Sequence, residues 1–437
     1  MFLQGTSRIT PGGELSIGGV NTTELIERFG TPLIVYDEEL IRSQMRAYME
    51  PFKGRNMPHR IAYACKAFSA IAICQIAQQE GLWLDVVSAG ELYTAQRAGF
   101  PADRIFMHGN NKTREELEMA VRAGVAMIVV DNFYEISLLS DVLNEYDATM
   151  DILLRIAPGV DAHTHEYITT GQQDSKFGFD LFSGQVDQAV DLIQREHALR
   201  LVGLHSHIGS QIFDVDGFRA AALRMADTTV HLKTKFGLAL SVLNLGGGLG
   251  VRYTQADMMP PIAKAVAGIL DVTEAAFAKA GVTMPTLMLE PGRSIVAAAG
   301  TTLYRVGSRK QIPEVRTYVA VDGGMTDNPR LALYGAKYEA CIANRMLSVE
   351  QETVSIAGKC CESGDMLIWD AVLPVSQPGD ILAVSCTGAY NYAMASNYNR
   401  IARPAVVFVH NGTARLVIRR ETLNDLVALD IPFLQDA

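Results

Sequence analysis

The chain has 437 residues, 49% of them apolar and 20% charged, with a formal net charge of −10. That length allows two or three domains around a large core, and the acidic balance argues against nucleic acid or an anionic membrane as partner. No apolar run reaches the roughly 20 residues of a spanning helix, and the opening MFLQGTSRIT lacks the charged start and apolar core of a secretory leader.

From residue 60 the chain alternates short apolar runs with amphipathic stretches. The runs are RIAYAC (60–65), LWLDVVS (82–88), RIFMHG (104–109), AMIVVD (126–131), DILLRIA (151–157), LVGLHSH (201–207), VLNLGGG (242–248) and TLMLEPG (286–292). Helical patterns lie between them, such as SAIAICQIAQQEG and REELEMAVRAG, the latter apolar at spacings of three and four and closed by glycine. Eight strand–helix units in a row predict parallel strands with right-handed crossovers, hence α/β architecture and a TIM-type (β/α)8 barrel. An open doubly wound sheet is the alternative.

After about residue 300 the texture changes. TTLYRVGSRK, RTYVAVDGG, DILAVSCTGAY, AVVFVHNG and TARLVIRRE are β-rich and separated by turn residues. They predict a C-terminal β-rich domain over 301–437, of sandwich or barrel type. The barrel takes 37–300, and the segment 1–36, with GELSIGGV and TPLIVYDEEL, is expected to join the β domain.

In a barrel of this type chemistry gathers at the C-terminal ends of the strands. Lys66 follows strand one there, Asp85 and Ser88 end strand two, and His108 and Asp131 end strands three and four. His205 and His207 end strand six, Gly246, Gly247 and Gly248 end strand seven, and Glu290 ends strand eight, followed by Gly292 and Arg293. Each has an ordinary structural explanation: a solvated lysine, a turn, a packed histidine. His205-x-His207 also has the spacing of a metal pair, but a lone pair is more often structural. The triple glycine lets backbone amides approach an anion, and Arg293 adds a charged donor. It matches neither a Walker loop nor a first-strand dinucleotide fingerprint. A phosphate site, a sheltered lysine, a carboxylate and an imidazole on one rim together suit pyridoxal 5'-phosphate. The lysine would hold it covalently, and the carboxylate would keep its ring nitrogen protonated. No metal is expected. His163 and His165, in DAHTHEY, lack an evident third ligand and are expected in a loop lining the substrate entrance.

The motifs YACKAF (63–68), DVVSAGEL (85–92), HEYITTGQQDSKFGF (165–179), HSHIGSQI (205–212), LNLGGGLG (243–250), LEPGRSIVA (289–297), DGGMTDNPRLALYGAKYEA (322–340), CESGD (361–365) and GAYNYAMASNYN (388–399) span almost the whole chain. In content and order they resemble the fold-type III pyridoxal-phosphate enzymes, with their alanine-racemase-like barrel, and within them the diaminopimelate decarboxylases. The resemblance implies that Lys66 carries the cofactor, His207 packs on its ring and Glu290 pairs with its nitrogen. Asp85, Ser210, Gly247, Gly248, Gly292, Arg293 and Tyr390 complete its site. Arg293, Arg330, Tyr334 and Tyr390 would hold substrate, Glu362 its distal ammonium, and Cys361 would donate the proton.

The implied reaction is decarboxylation of meso-2,6-diaminopimelate to L-lysine and CO2, the last step of lysine biosynthesis, in a homodimer whose active sites are shared between chains. A decarboxylase for ornithine, arginine or carboxynorspermidine, and a non-catalytic cofactor-binding homologue, are the alternatives. The contexts of Arg330 and Glu362 favour diaminopimelate. Retention of Lys66 and Cys361 argues against a non-catalytic homologue. The six cysteines, Cys65, Cys74, Cys341, Cys360, Cys361 and Cys386, follow neither a disulfide framework nor CxxC metal spacing. A cytoplasmic location is therefore expected.

Overall fold

Eight of the apolar runs form strands that pair in parallel and close into a barrel in the computed structural model, which describes residues 3–160 and 175–433. The strands are β1 (His59–Ala64), β2 (Trp83–Val86), β3 (Ile105–Met107), β4 (Met127–Val130), β5 (Met150–Ala157), β6 (Leu199–His205), β7 (Val242–Asn244) and β8 (Thr286–Leu289). Closure runs through β8 and β1, with Leu287 opposite His59 and Leu289 opposite Ile61. Ala62, Phe106, Met127, Val129, Leu153, Val242 and Met288 fill the interior as one buried cluster. Strands covered on both faces need apolar residues on both faces, which is why they read as continuous runs rather than as alternation.

The helices between strands carry the expected local signals. Arg114–Ala123 opens on a capping box between Thr113 and Glu116 and closes on Gly124 at φ 70°. Among the described residues no helix is long and apolar enough to cross a membrane.

The barrel belongs to a compact unit made of Arg42–Val251 and Met258–Ile295. The other unit, Met1–Ile41, Arg252–Asp257 and Val296–Ala437, is β-rich. Its main sheet is organised by the 13-residue strand Gly300–Ile312. The first half of that strand pairs antiparallel with Leu33–Asp37 and with Ile381–Ser385. A register shift between Val306 and Arg309 then passes it on to Arg316–Val321. Leu33–Asp37 also pairs in parallel with Ala405–His410, placing an N-terminal strand inside this sheet. Leu15, Ile17, Leu33, Val35, Leu303, Ala383, Val407 and Val409 share its core.

Several strands end earlier than the apolar runs predict. β7 stops at Asn244 rather than 248 because Gly246 and Gly248 adopt φ 67° and 118°, outside the extended region. β8 stops at Leu289, ahead of Pro291, which has no N–H for a ladder. β6 stops at His205, so His207 sits in the following loop. The strands Gln351–Ala357 and Met366–Pro374, which the sequence pattern did not single out, form an antiparallel pair. His163 and His165 lie outside the described residues.

Candidate active site

Lys66 leaves β1 in a short 3-10 turn, Cys65–Ala67, fixed by Tyr63, whose hydroxyl donates to the Phe68 carbonyl at 2.7 Å. Lys66 Nζ lies 3.7 Å from Asp85 Oδ2, and its side chain keeps 40% of its exposure while that of Asp85 keeps 1%. Neither Asp85 oxygen has a hydrogen-bond partner among the described residues. Burial raises the Asp85 carboxyl, and the adjacent His108 and Lys66 charges oppose it. Of the other rim residues, Ser88 caps the helix Ala89–Arg97, and Asp131 receives Arg155 Nη1 at 3.3 Å and the Gly178 amide at 2.9 Å. Both serve the scaffold.

Glu290 lies at the end of β8 and receives three donors. His108 Nε2 donates to Oε1 at 2.8 Å, Asn244 Nδ2 to the same oxygen at 2.6 Å, and His205 Nε2 to Oε2 at 3.3 Å. Burial alone would raise this carboxyl, but the two histidines outweigh it and hold Glu290 well below the ordinary carboxylate range. Burial pushes His205 down to about 3, so its ring is neutral. His108, His205 and Glu290 could also hold an ion by type and distance. Here both histidines direct Nε2 at Glu290 as hydrogen-bond donors, so those two nitrogens are turned to the carboxylate rather than to an ion.

His207 accepts the Gly247 amide on Nδ1 at 3.2 Å, which leaves its ring proton on Nε2. Desolvation first, then the Lys66 and Arg155 charges, hold this imidazole well below its usual range. The glycine loop is tight. A Cβ on Gly247 would lie 2.1 Å from the Glu290 carbonyl oxygen, and one on Gly248 would lie 2.4 Å from the Gly209 carbonyl oxygen. Next to the loop, Arg293 Nε donates to Ser210 Oγ at 2.9 Å. The structure thus brings Lys66, Asp85, His207, Ser210, Gly247, Gly248, Glu290, Gly292 and Arg293 to one rim. They fit pyridoxal phosphate: an orphaned buried carboxylate beside an amine, an ionised glutamate, a neutral imidazole, and an arginine–serine–glycine cradle for a phosphate.

The other candidates belong to the β-rich unit. Arg330 and Tyr334 begin and end the short helix Arg330–Tyr334. Arg330 is 6% exposed. Cys361 and Glu362 are exposed on the turn between Gln351–Ala357 and Met366–Pro374. Asp365 fastens this turn, accepting the Cys360 amide at 2.7 Å and the Met325 amide at 2.6 Å. Asn399 Oδ1 accepts the Cys361 amide at 2.7 Å. Tyr390 adopts φ 62°, which is strained for a non-glycine residue.

Residues 38–297 match the family described as "Pyridoxal-dependent decarboxylase, pyridoxal binding domain". The chain is 56% identical over 433 residues to a diaminopimelate decarboxylase of Bacillus subtilis (strain 168), covering 99% of each. It belongs to the diaminopimelate decarboxylase family. A family member from Halalkalibacterium halodurans is 54% identical, covering 100% of this chain and 99% of that one. The crystal structure of diaminopimelate decarboxylase from M. jannaschii in co-complex with L-lysine superimposes with a TM-score of 0.92 at 37% identity, covering 98% of each chain. A lysine/ornithine decarboxylase from Vibrio vulnificus, complexed with putrescine, shares the fold at 24% identity and a TM-score of 0.75, over 89% of this chain and 97% of that one.

Motif reading gave no role to Asn244, to His108 and His205 as partners of Glu290, or to Asp365 and Asn399. A signal existed for the two histidines, because both fall at strand ends of one barrel rim. Nothing in the sequence aims Asn244 or Asn399 at a particular neighbour.

Proposed function

We infer that this chain is a pyridoxal-phosphate-dependent carboxy-lyase that converts meso-2,6-diaminopimelate to L-lysine and CO2, completing lysine biosynthesis. The observation that carries this conclusion is the 56% identity to a diaminopimelate decarboxylase over 99% of both chains. The bound cofactor supplies an electron sink for the pair left when CO2 departs. Lys66 would hold it through Nζ, His207 would pack on its ring, and Ser210, Gly247, Gly248, Gly292, Arg293 and Tyr390 would receive its phosphate. Glu290 would accept a hydrogen bond from its protonated ring nitrogen and keep the proton there. The donors from His108, His205 and Asn244 keep Glu290 ionised and fixed for that role.

Arg293, Arg330, Tyr334 and Tyr390 would bind the substrate, with the arginines on its carboxylates. Glu362 would receive the distal ammonium, and Cys361 would deliver a proton to the carbon that has lost its carboxylate. A substrate with an amino-acid group at each end explains a site with both Arg330 and Glu362. Ornithine offers no distal carboxylate. Cys361 and Glu362 share one exposed turn, which is accessible to a second copy of the chain. We therefore place them in the partner's active site, in a homodimer with shared sites. None of the six cysteines forms a disulfide, in keeping with a cytoplasmic location.

The test is CO2 release from meso-diaminopimelate, ornithine, arginine and carboxynorspermidine under one set of conditions. Turnover should be confined to diaminopimelate, and a higher kcat/KM for any of the others would overturn the assignment.

A further inference from the structure

Arg330 is held in a closed frame that motif reading did not assign. Its Cζ lies 4.7 Å from the centroid of the Tyr253 ring and 5.7 Å from that of Tyr338. The two rings meet edge to face, with centroids 5.6 Å apart at 87°. Arg330 Nη1 donates to the Tyr338 hydroxyl at 2.8 Å, and that hydroxyl donates onward to Asn391 Oδ1 at 3.2 Å. Arg330, Tyr338, Tyr253 and Asn391 are all buried. Yet Arg330 Nε has no partner among the described residues.

A buried guanidinium N–H without a partner is costly unless something else fills it. Arg330 has given up its water and part of its rotamer freedom before any ligand arrives. A carboxylate that reached Nε would find a donor already desolvated and held, in surroundings where charges attract strongly.

We propose that Tyr338 and Asn391, backed by the Tyr253 ring, are positioning residues that fix Arg330 so that its Nε edge meets a substrate carboxylate. This rests on the assignment of Arg330 to substrate binding made above. The phenol of Tyr338 links the two ends of the frame, accepting from the cation and donating to the amide. Removing that hydroxyl leaves the ring stacking in place but frees the guanidinium to turn.

The experiment is a double-mutant cycle on the holoenzyme with Arg330→Ala, Tyr338→Phe and their combination, with Asn391→Ala as a second single variant. KM and kcat for meso-diaminopimelate and the inhibition constant of L-lysine, which keeps one carboxylate, are measured for each. Tyr338→Phe and Asn391→Ala should each raise KM and the lysine inhibition constant by on the order of tenfold, with kcat changed much less. Adding Tyr338→Phe to Arg330→Ala should change KM no further, because the phenol acts only through the guanidinium. If the two effects simply multiply, or if kcat and thermal stability fall while KM stays constant, the frame is merely structural and the proposal is overturned. If Arg330→Ala itself leaves KM unchanged, the assignment of Arg330 to the substrate fails with it.

Discussion

His108 Nε2 and Glu290 Oε1 are joined by a buried hydrogen bond of 2.8 Å at the C-terminal rim of the barrel. With Asn244 and His205 it keeps a carboxylate ionised in a place where burial alone would protonate it. Glu290→Gln keeps the size but removes the charge that would hold the cofactor's ring proton. We expect kcat to fall on the order of 100-fold or more, the scale of a lost electrostatic contact to developing charge, with cofactor absorbance retained. A kcat within threefold of wild type would show that this charge is not used.

Glu91, on the first turn of the helix Ala89–Arg97, accepts the Val87 amide at 2.8 Å, and burial pushes its carboxyl from 4.5 up to about 7. The folded state therefore holds a proton that the unfolded state releases. The stabilising contribution is fully present below pH 4.5 and is lost as pH rises through about 7. Glu91→Gln removes the ionisation, so its stability relative to wild type should improve with pH across that window, by on the order of 3 kcal/mol at most. Denaturant titrations at several pH values check this, and a pH-independent difference would contradict it.

The barrel was legible because buried parallel strands must be apolar on both faces, which left eight unbroken runs in order. The lysine, glycines and glutamate at their ends were legible because barrel topology gathers those ends on one rim. The strands Gln351–Ala357 and Met366–Pro374 were less legible, since QETVSIA and MLIWDAVLP mix polar and charged residues with apolar ones without a clean alternation. Asn244 and Asn391 were not legible at all. An amide shows its role only through the neighbour it faces, and those neighbours, Glu290 and Tyr338, lie 46 and 53 positions away.

Glu362 is assigned to the distal ammonium of the substrate. Glu362→Gln should reduce kcat/KM for meso-diaminopimelate by about 1.5–3 kcal/mol, the range for a hydrogen bond to a charged group. Steady-state kinetics decide the point, and an unchanged kcat/KM removes Glu362 from the substrate site.

The proposed dimer with shared sites has its own test. Lys66→Ala and Cys361→Ala subunits, each inactive alone, are mixed one to one and allowed to exchange. Random pairing makes half the dimers mixed, and each mixed dimer has one intact site if lysine and cysteine come from different chains. Activity should return to about a quarter of wild type. No recovery, with exchange verified by mass, would place both residues in one chain.

The most direct measurement of all is borohydride reduction of the holoenzyme, followed by peptide mapping. The cofactor should be fixed to Lys66 in the peptide containing YACKAF, with complete loss of CO2 release from meso-diaminopimelate. Labelling at another lysine, or no labelling of cofactor-loaded protein, would contradict the assignment of Lys66 on which the whole site is built.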